Sequence, residues 1–211
     1  TPQKPPAVVI GTEHFVGLQT ARILAEHNVP VIGITDHPER HYHRTNACKK
    51  TLFAETSGTG LIRTLIEMGP SLDQKAVLFP CCDLSVFTIS RHREELAPWY
   101  HISLPPADAV ETLMNKSLFY PFAQDAGLPI PKTFLLHSKE EARLAADSLR
   151  YPATLKPPVK IQSWVTNSHG IKAYKAESAE ELLALYDRCH TWADTLMVQE
   201  WVEGSEKDLY S

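Results

Sequence analysis

The residues with the most specific chemistry lie in the second half of the chain. Lys116 and Lys156 offer ammonium groups, which pair with phosphate oxygens. A late apolar strand ends in Glu200-Trp201-Val202, and Asp208 follows shortly after. An acceptor carboxylate, an apolar slot and further polar groups are what a purine ring and its sugar hydroxyls require. Together these side chains could bind a nucleoside triphosphate, although taken singly a lysine on a helix is usually part of a solvated face and a tryptophan on a strand is usually part of a core.

Each of these residues lies in a longer motif. The first is Asn115-Lys116-Ser-Leu-Phe-Tyr120, followed by Ala123-Gln-Asp-Ala-Gly127-Leu-Pro129-Ile-Pro131-Lys-Thr. The others are Tyr151-Pro152-Ala-Thr-Leu-Lys156-Pro157 and Val198-Gln199-Glu200-Trp201-Val202-Glu203-Gly204. These segments resemble three signatures of the ATP-grasp superfamily, in particular of its carboxylate–amine ligases and carbamoyl-phosphate-synthase-like members. The first resembles "DK … Gly-hydrophobic-Pro-x-Pro-x-T", the second "P-x-x-x-K-P" and the third "Q-E-hydrophobic-hydrophobic-x-G". The resemblance covers essentially the whole chain.

The resemblance implies an organisation for the second half. Residues 106–211 would be the N-terminal part of an ATP-grasp domain, with a small lid subdomain at about 133–200. Lys116 and Lys156 would contact the ATP phosphates, and Lys156 would project from a strand of the lid.

The resemblance also implies contacts to the nucleoside. Glu200 would accept a hydrogen bond from the adenine amino group, and the backbone around Trp201 and Val202 would contact the purine edge. Asp208 would bind the ribose hydroxyls, with Glu206 as the alternative for that role.

The segment 157–172 corresponds to the Ser/Gly-rich flap that the family usually places over the phosphates, but here it contains a single glycine. Ser168-His169-Gly170 would still present backbone N–H groups to an anion, and Lys172 would assist. Trp164 fits two roles, closing the flap by packing or forming part of the lid core.

The activity that the resemblance implies is ATP-dependent amide formation between a small-molecule carboxylate and an amine, through an acyl phosphate, with ATP and Mg²⁺ as cofactors. Family members take their magnesium ligands from strands beyond the position of Asp208, so we expect no catalytic or metal-binding residue before Ser211. The ending Asp208-Leu-Tyr-Ser211 resembles the beginning of a strand, which indicates a truncated and catalytically incompetent chain. The glycine-poor flap favours an alternative, a non-catalytic nucleotide-binding or regulatory module.

The first half alternates short apolar runs with helix-length segments. Runs at 7–10, 31–34, 50–54 and 76–79 predict buried strands, and helices are predicted after Gly11, at about 58–68 and at about 84–96. Strands that are apolar throughout are typical of a parallel sheet covered on both faces. We therefore predict an α/β fold with a doubly wound, Rossmann-like parallel sheet at 1–105, a pre-ATP-grasp domain by the resemblance, with its boundary at Pro105-Pro106.

Beyond that boundary the pattern is α+β. One helix is predicted at about 107–126, ending at Gly127. Ser138 and Glu141 form a capping-box pattern before a helix that ends near Arg150. The predicted strands are at 133–136, 151–156, 171–175 and 195–202, with a polar loop up to Gly170 and a further helix from Ser178.

The first glycine loop argues against a dinucleotide site. A Gly-x-Gly-x-x-Gly motif starting at Gly11 would need glycines where Glu13 and Val16 stand, and the Glu13 carboxylate would repel phosphate. Asp36 does lie where a ribose-binding acid is found in such folds. An NAD(P)-dependent oxidoreductase is therefore kept as a third hypothesis.

Asp83 is the candidate substrate-binding residue of the first half. It follows a strand in Pro80-Cys81-Cys82-Asp83 and opens a helix, at the edge where open α/β sheets bind ligands. Its position matches family members that carry a substrate-facing acid. The competing interpretation is a helix N-cap.

Composition limits the other possibilities. A net charge of −4 disfavours nucleic acid as a partner, and no apolar run approaches the length of a membrane span. Cys48, Cys81, Cys82 and Cys189 show no Cys-x-x-Cys spacing and fit reduced thiols in a cytoplasm. His37, His41 and His43 precede Cys48 in a polar stretch, where a metal site is possible but a solvated loop fits the spacing better. Oligomeric state and substrate identity have no signal in the sequence.

Overall fold

The computed structural model describes residues 4–41, 45–159 and 161–204. The chain divides into two compact units, Thr1–Glu111 and Thr112–Ser211. The predictions for His43, Glu206 and Asp208 therefore lie outside the described residues.

The first unit alternates strands and helices. It begins with β1 (Ala7–Ile10), α1 (Phe15–Glu26), β2 (Val31–Thr35), β3 (Lys50–Phe53) and α2 (Gly58–Met68). It continues with β4 (Ala76–Pro80), α3 (Asp83–Arg91), α4 (Arg93–Leu96) and β5 (Tyr100–Ile102). Helix α5 (Ala107–Met114) contains the boundary between the two units.

The described strands of the first unit form one parallel sheet in the order β3-β2-β1-β4-β5. The central strand β1 is buried along its whole length. Val8 and Ile10 pack in a core with α2 and α3, whereas Val9 packs on the other face with Ala21 of α1. A strand covered on both faces must be apolar at every position. The prediction of an α/β fold with a parallel sheet is confirmed.

Gly17 explains why α1 can approach the loop that follows β1. A Cβ atom on Gly17 would lie 2.2 Å from the carbonyl oxygen of Gly11, well inside contact distance. Gly11 itself has a φ of +88°, which side chains with a Cβ rarely adopt. The spacing of these two glycines is thus accounted for by backbone geometry and helix packing.

Three features of the first unit differ from the predictions. The helix expected at 84–96 is two helices, because the backbone at His92 leaves the helical region (φ −108°, ψ 21°). Strand β5 was not predicted, since three residues are too few to show a periodicity. The N-cap of α3 is Cys82, whose backbone N–H donates to Ser85 Oγ at 3.4 Å, so the N-cap interpretation of Asp83 is wrong.

The second unit contains α6 (Lys116–Asp125), β6 (Thr133–Leu136), α7 (Lys139–Ser148), β7 (Ala153–Lys156), α8 (Gln162–Asn167), β8 (Tyr174–Ala176), α9 (Ala179–Cys189) and β9 (Leu196–Glu200). Its strands form an antiparallel sheet in the order β6-β9-β7-β8. One face carries Leu155 and Val198, which pack with Ala145 of α7 and with Leu182 of α9. The change of sheet type between the halves agrees with the α+β character predicted for the second.

In the second unit, the N-terminus of one helix was predicted correctly from the sequence and that of another was missed. The predicted N-cap of α7 is confirmed, because Ser138 Oγ accepts from the Glu141 N–H at 3.2 Å. The Glu141 side chain differs from the capping-box pattern, since its Oε2 accepts from the N–H of His137, one residue before the cap, at 2.6 Å. The single helix predicted at 107–126 is wrong. It breaks at Asn115, whose extended backbone and side-chain bond to the Ser117 N–H (3.0 Å) start a separate helix, α6.

Two further properties of the chain are visible in the described residues. Cys48, Cys81, Cys82 and Cys189 are free thiols. Among the helices of the described ranges, none combines the length and the apolar character that a bilayer span needs.

We expect Gly17→Ala to destabilise the first unit by about 2–3 kcal/mol, because the added methyl group meets backbone that cannot swing aside. Gly60→Ala in α2 is the matched control. At position 60 the new Cβ would lie 2.3 Å from Cδ of Glu55, but this exposed side chain can rotate away. In addition, alanine stabilises a helix relative to glycine by up to about 1 kcal/mol. Urea unfolding followed by circular dichroism measures both. Equal stability of the two variants would contradict the close approach of α1.

Candidate functional site

A cavity of about 480 Å³ in the second unit brings together four of the predicted site residues, Lys116, Lys156, Gly170 and Lys172. The rest of its wall is largely apolar and includes Pro157, Pro158, Ile161, Trp164 and Ile171. A cavity with ammonium groups on one side and apolar surface on the other fits an anionic ligand that also has a hydrophobic part.

The two principal lysines reach this cavity from different elements. Lys116 is the first residue of α6, directly after the Asn115 cap. Lys156 is the last residue of β7, a strand paired on both sides by β8 and β9. Because the N-terminus of a helix carries partial positive charge, α6 adds to the attraction for an anion.

The two ammonium groups repel each other. Burial, and then the positive charge of Lys116, lower the pKa of Lys156 below its usual range. Lys156 is half-buried and Lys116 is exposed. A negatively charged group between the lysines would relieve this repulsion, so the arrangement favours anion binding.

The strand register puts Lys156 and the Glu200 side chain on opposite faces of the sheet. Lys156 is paired with Met197, and Ala153 is paired with Glu200. Since side chains alternate along a strand, Glu200 shares the helix-covered face with Val198. There its Oε1 accepts from the Arg150 N–H at 2.9 Å. One carboxylate oxygen of Glu200 thus already holds the chain between α7 and β7.

The strand end after Glu200 is open on one side. The Trp201 N–H donates to the carbonyl oxygen of Pro152 at 2.9 Å. The Trp201 ring is 49% exposed and lies 5.4 Å from Nζ of Lys175, and Val202 is 70% exposed. This end of the sheet therefore offers an aromatic surface, but neither residue lines the cavity of Lys116 and Lys156.

The segment predicted to be a flap contains the helix α8. Ile161, Trp164 and Val165 have the spacing of an apolar helix face, a signal that the sequence analysis missed. Trp164 is 3% exposed, and its Nε1–H donates to the Ile171 carbonyl oxygen at 2.8 Å. Its ring packs at 5.7 Å from both Tyr174 and Trp192. Of the two roles considered for Trp164, the structure favours a core position, here in the second unit.

The backbone of residues 168–170 does not offer free donors. The N–H groups of Ser168, His169 and Gly170 donate to the carbonyl oxygens of Trp164, Thr166 and Val165, respectively, at the C-terminal end of α8. The expectation of an anion cradle there is not met, because these N–H groups close the helix. His169 is exposed and does not line the cavity, whereas Gly170 and Lys172 do.

In the first unit, the carboxyl edge of the sheet carries two acids. Asp83 is exposed as the first residue of α3. Glu13 is buried after β1, and its Oε2 has no hydrogen-bond partner. From the sequence, Glu13 was interpreted only as a charge that repels phosphate, and no sequence pattern indicated its burial.

No cluster of three or more His, Cys, Asp or Glu side chains in the described ranges could hold a metal ion. His37 instead contacts Glu39, with Nδ1 at 2.7 Å from Oε1, in a largely exposed stretch.

The chain has sequence relatives among ligases. It is 24% identical over 167 residues to a D-aspartate ligase of Enterococcus faecium, covering 76% of this chain and 39% of that protein. It is 28% identical over 103 residues to a D-alanine–D-alanine ligase of Ectopseudomonas mendocina, covering 49% of this chain and 29% of that one. No family model matches the chain.

A solved structure with the same fold is the biotin carboxylase domain of the Hydrogenobacter thermophilus 2-oxoglutarate carboxylase, in complex with MgADP, ADP and bicarbonate. It superimposes with a TM-score of 0.65 and 14% identity over 95% of this chain and 44% of that one. In sequence and in fold the chain is thus similar to ligases and carboxylases of the ATP-grasp type. The chain spans less than half the length of each of these three proteins.

We expect Lys116→Gln to raise the pKa of Lys156 towards its usual value, because the repelling charge is removed while the burial persists. NMR titration of the lysine ε-carbon signals measures the shift. Lys139→Gln is the control, since Lys139 pairs with Asp187 at 2.7 Å and does not line the cavity. An unchanged Lys156 pKa in the Lys116 variant would contradict the coupling.

The same shift predicts a pH dependence of stability. The pKa of Lys156 is lower in the folded than in the unfolded chain. At pH values between these two pKa values, the unfolded chain therefore binds more protons than the folded chain. The free energy of unfolding should gain a term that rises with pH from the folded pKa to the unfolded pKa. Chemical unfolding at several alkaline pH values should show a smaller rise in Lys116→Gln than in the wild type.

Proposed function

We propose that the chain carries the phosphate-binding part of an ATP-dependent carboxylate–amine ligase, which forms an amide through an acyl phosphate. The observation that carries the proposal is the cavity in which Lys116 and Lys156 repel each other beside the N-terminus of α6. Two relatives named as ligases and a structure of the same fold with bound ADP support it.

In the proposed reaction, a carboxylate oxygen of the first substrate attacks the γ-phosphorus of ATP. The bond from that phosphorus to the bridging oxygen breaks, which releases ADP and leaves an acyl phosphate. The amine then attacks the acyl carbon, loses a proton and expels inorganic phosphate. Lys116 and Lys156 would stabilise the negative charge on the phosphate oxygens during the transfer, with Lys172 nearby at the cavity wall.

Mg²⁺ would supply further charge neutralisation when bound with the nucleotide. It accompanies ADP in the biotin carboxylase domain. The described part of this chain has no group of three or more His, Cys, Asp or Glu side chains suited to such an ion. We therefore assign Mg²⁺ to none of the described residues.

For the nucleoside we propose the end of β9. Glu200 would accept from the adenine amino group through its backbone carbonyl, because its carboxylate lies on the sheet face opposite Lys156 and its Oε1 already accepts from the Arg150 backbone N–H. The exposed Trp201 and Val202 would contact the purine ring, which has a π-face and an apolar edge to bury. Asp208 remains the proposed ribose-binding acid.

For the first unit we propose the Rossmann-like pre-ATP-grasp role, with Asp83 turned towards a substrate. Its support is the parallel sheet and the exposure of Asp83 at the carboxyl edge, where open α/β sheets bind ligands.

One observation favours a second candidate, a nucleotide-binding module without catalysis. The N–H groups of residues 168–170 are engaged at the end of α8, so they are not available to hold a phosphate for transfer. Such a module would bind ATP but would release neither ADP nor phosphate with any carboxylate and amine. A coupled assay of ADP release alongside nucleotide binding separates the two functions.

The binding test compares Lys116→Ala/Lys156→Ala with the wild type by calorimetric titration with a non-hydrolysable ATP analogue. We expect affinity to fall by at least about 100-fold, since each of the two ammonium–phosphate contacts contributes about 1.5–3 kcal/mol. Lys132→Ala/Lys139→Ala, with the same change of net charge but with both residues outside the cavity lining, is the control and should keep wild-type affinity. Equal affinity in the two double variants would refute the phosphate site.

A further inference from the structure

The carbonyl oxygen of Ile171 accepts two side-chain hydrogen bonds from α8 and its C-cap. The indole Nε1–H of Trp164 donates to this oxygen at 2.8 Å, and the hydroxyl of Ser168 donates to it at 2.9 Å. Both donor side chains are buried. A carbonyl oxygen has two lone pairs, so both are used here. The backbone at Ile171 is therefore fixed from the side of the core.

The turn between Ser168 and Ile171 is held at both of its ends. The Ile171 N–H donates to the Ser168 carbonyl oxygen at 3.1 Å, so the two residues exchange hydrogen bonds. Between them, His169 has a φ of +52° and Gly170 a φ of +85°. Glycine adopts this left-handed region readily, whereas histidine is strained in it. The hydrogen bonds between Ser168 and Ile171 offset that strain and give the turn one defined shape.

The fixed carbonyl determines the direction of the next backbone donor. The Ile171 carbonyl and the Lys172 N–H belong to one planar trans peptide unit, in which they point in opposite directions. Because the carbonyl points at the buried Trp164 and Ser168, the Lys172 N–H points away from that core. Among the residues that the structure describes, this N–H has no acceptor. Lys172 is exposed and lines the cavity of about 480 Å³.

Lys172 thus offers two donors at one place, its backbone N–H and its ammonium group. A glycine-rich flap would offer the N–H groups of residues 168–170 instead, but these are engaged at the end of α8. A donor that is already oriented loses less conformational entropy on binding an anion than a donor on a mobile loop does. The hydrogen bonds to Ile171 supply that orientation.

We propose that Ser168 and Trp164 are positioning residues. They hold the peptide unit between Ile171 and Lys172, so that Lys172 donates to a nucleotide phosphate from both its N–H and its ammonium group. This role rests on the proposed function, because it takes the ligand of the cavity to be a nucleotide. Trp164 also lines the cavity, whereas Ser168 does not and acts only through Ile171. Ser168 is therefore the residue to test.

Backbone amide NMR of the wild-type chain, titrated with the non-hydrolysable ATP analogue adenylyl imidodiphosphate, tests the predicted donor. We expect the Lys172 amide proton to move downfield and to saturate with the analogue, because it gains a hydrogen bond to a charged acceptor. The amide protons of Ser168, His169 and Gly170 already donate within the chain and should move much less. An unmoved Lys172 amide with the analogue bound would overturn the proposal.

Ser168→Ala removes the positioning hydroxyl and should weaken binding of the analogue about 3–10-fold in calorimetry, with a smaller shift at Lys172. Ser163→Ala is the matched control. In the same helix, Ser163 Oγ also donates to a backbone carbonyl, that of Trp192 at 2.7 Å, and Ser163 also lies outside the cavity lining. It should keep the wild-type affinity and the Lys172 shift. Equal affinity of the two serine variants would mean that Ser168 has only a structural role and would refute the positioning.

A double-variant comparison separates positioning from general loosening of the turn. Lys172→Ala removes the ammonium group and keeps the backbone N–H. If Ser168 acts through Lys172, the loss of affinity in Ser168→Ala/Lys172→Ala should be smaller than the product of the two single losses. Losses that simply multiply would contradict the proposed coupling.

Failure of this proposal is distinguishable from failure of the proposed function. If the analogue binds and Lys116→Ala/Lys156→Ala abolishes that binding, an unmoved Lys172 amide overturns the positioning role alone. If the wild-type chain does not bind the analogue, the phosphate site is refuted and the positioning role with it. Should Ser168→Ala not fold by circular dichroism, the wild-type amide titration decides by itself.

Discussion

The repulsion between two ammonium groups is the constraint on which the second unit depends. Strand β7, paired on both sides, holds Lys156 at the edge of the cavity, and the Asn115 cap starts α6 with Lys116 at the same place. A fold selected for stability alone would separate such charges. Their retention beside a partly apolar wall is expected of a site where an anion supplies the balancing charge.

The sheet of the second unit divides structural and binding roles between its two faces. One face is closed by α7 and α9, and the Glu200 carboxylate on that face ties the turn before β7 to β9. Lys156 leaves the other face, next to the buried Met197. The antiparallel register thus determines both which side chains enter the core and which face Lys156 leaves. A shift of the strand by one residue would move its apolar side chains out of the core and turn Lys156 into it.

The sequence was informative where the pattern is dense and local. The apolar runs of β1, β2 and β4 led directly to the parallel sheet, and the Ser138–Glu141 pair located the start of α7. Breaks that depend on one residue were missed, because His92 and Asn115 interrupt otherwise continuous helical patterns. Helix α8 was missed for a different reason, since its apolar positions were few and lay in a segment interpreted through a family resemblance.

The candidate site was predictable in its residue types but not in its geometry. Lysines in family-like motifs indicated the phosphate-binding residues, but the hydrogen bond from the Arg150 backbone N–H to the Glu200 carboxylate depends on how a strand and a turn meet in space. The burial of Glu13 has the same origin, because it follows from the approach of α1 to the loop after β1, which no periodicity records.

The aromatic packing of Trp164 has a consequence for how a ligand would be covered. A glycine-rich flap is mobile when empty and loses conformational freedom as it settles on its ligand, which opposes binding. Here the segment over the lysines is already folded around Trp164, Tyr174 and Trp192. Because this segment is ordered before any ligand binds, ligand binding would lose less conformational entropy. The segment around Trp164 would then move as a unit instead of refolding.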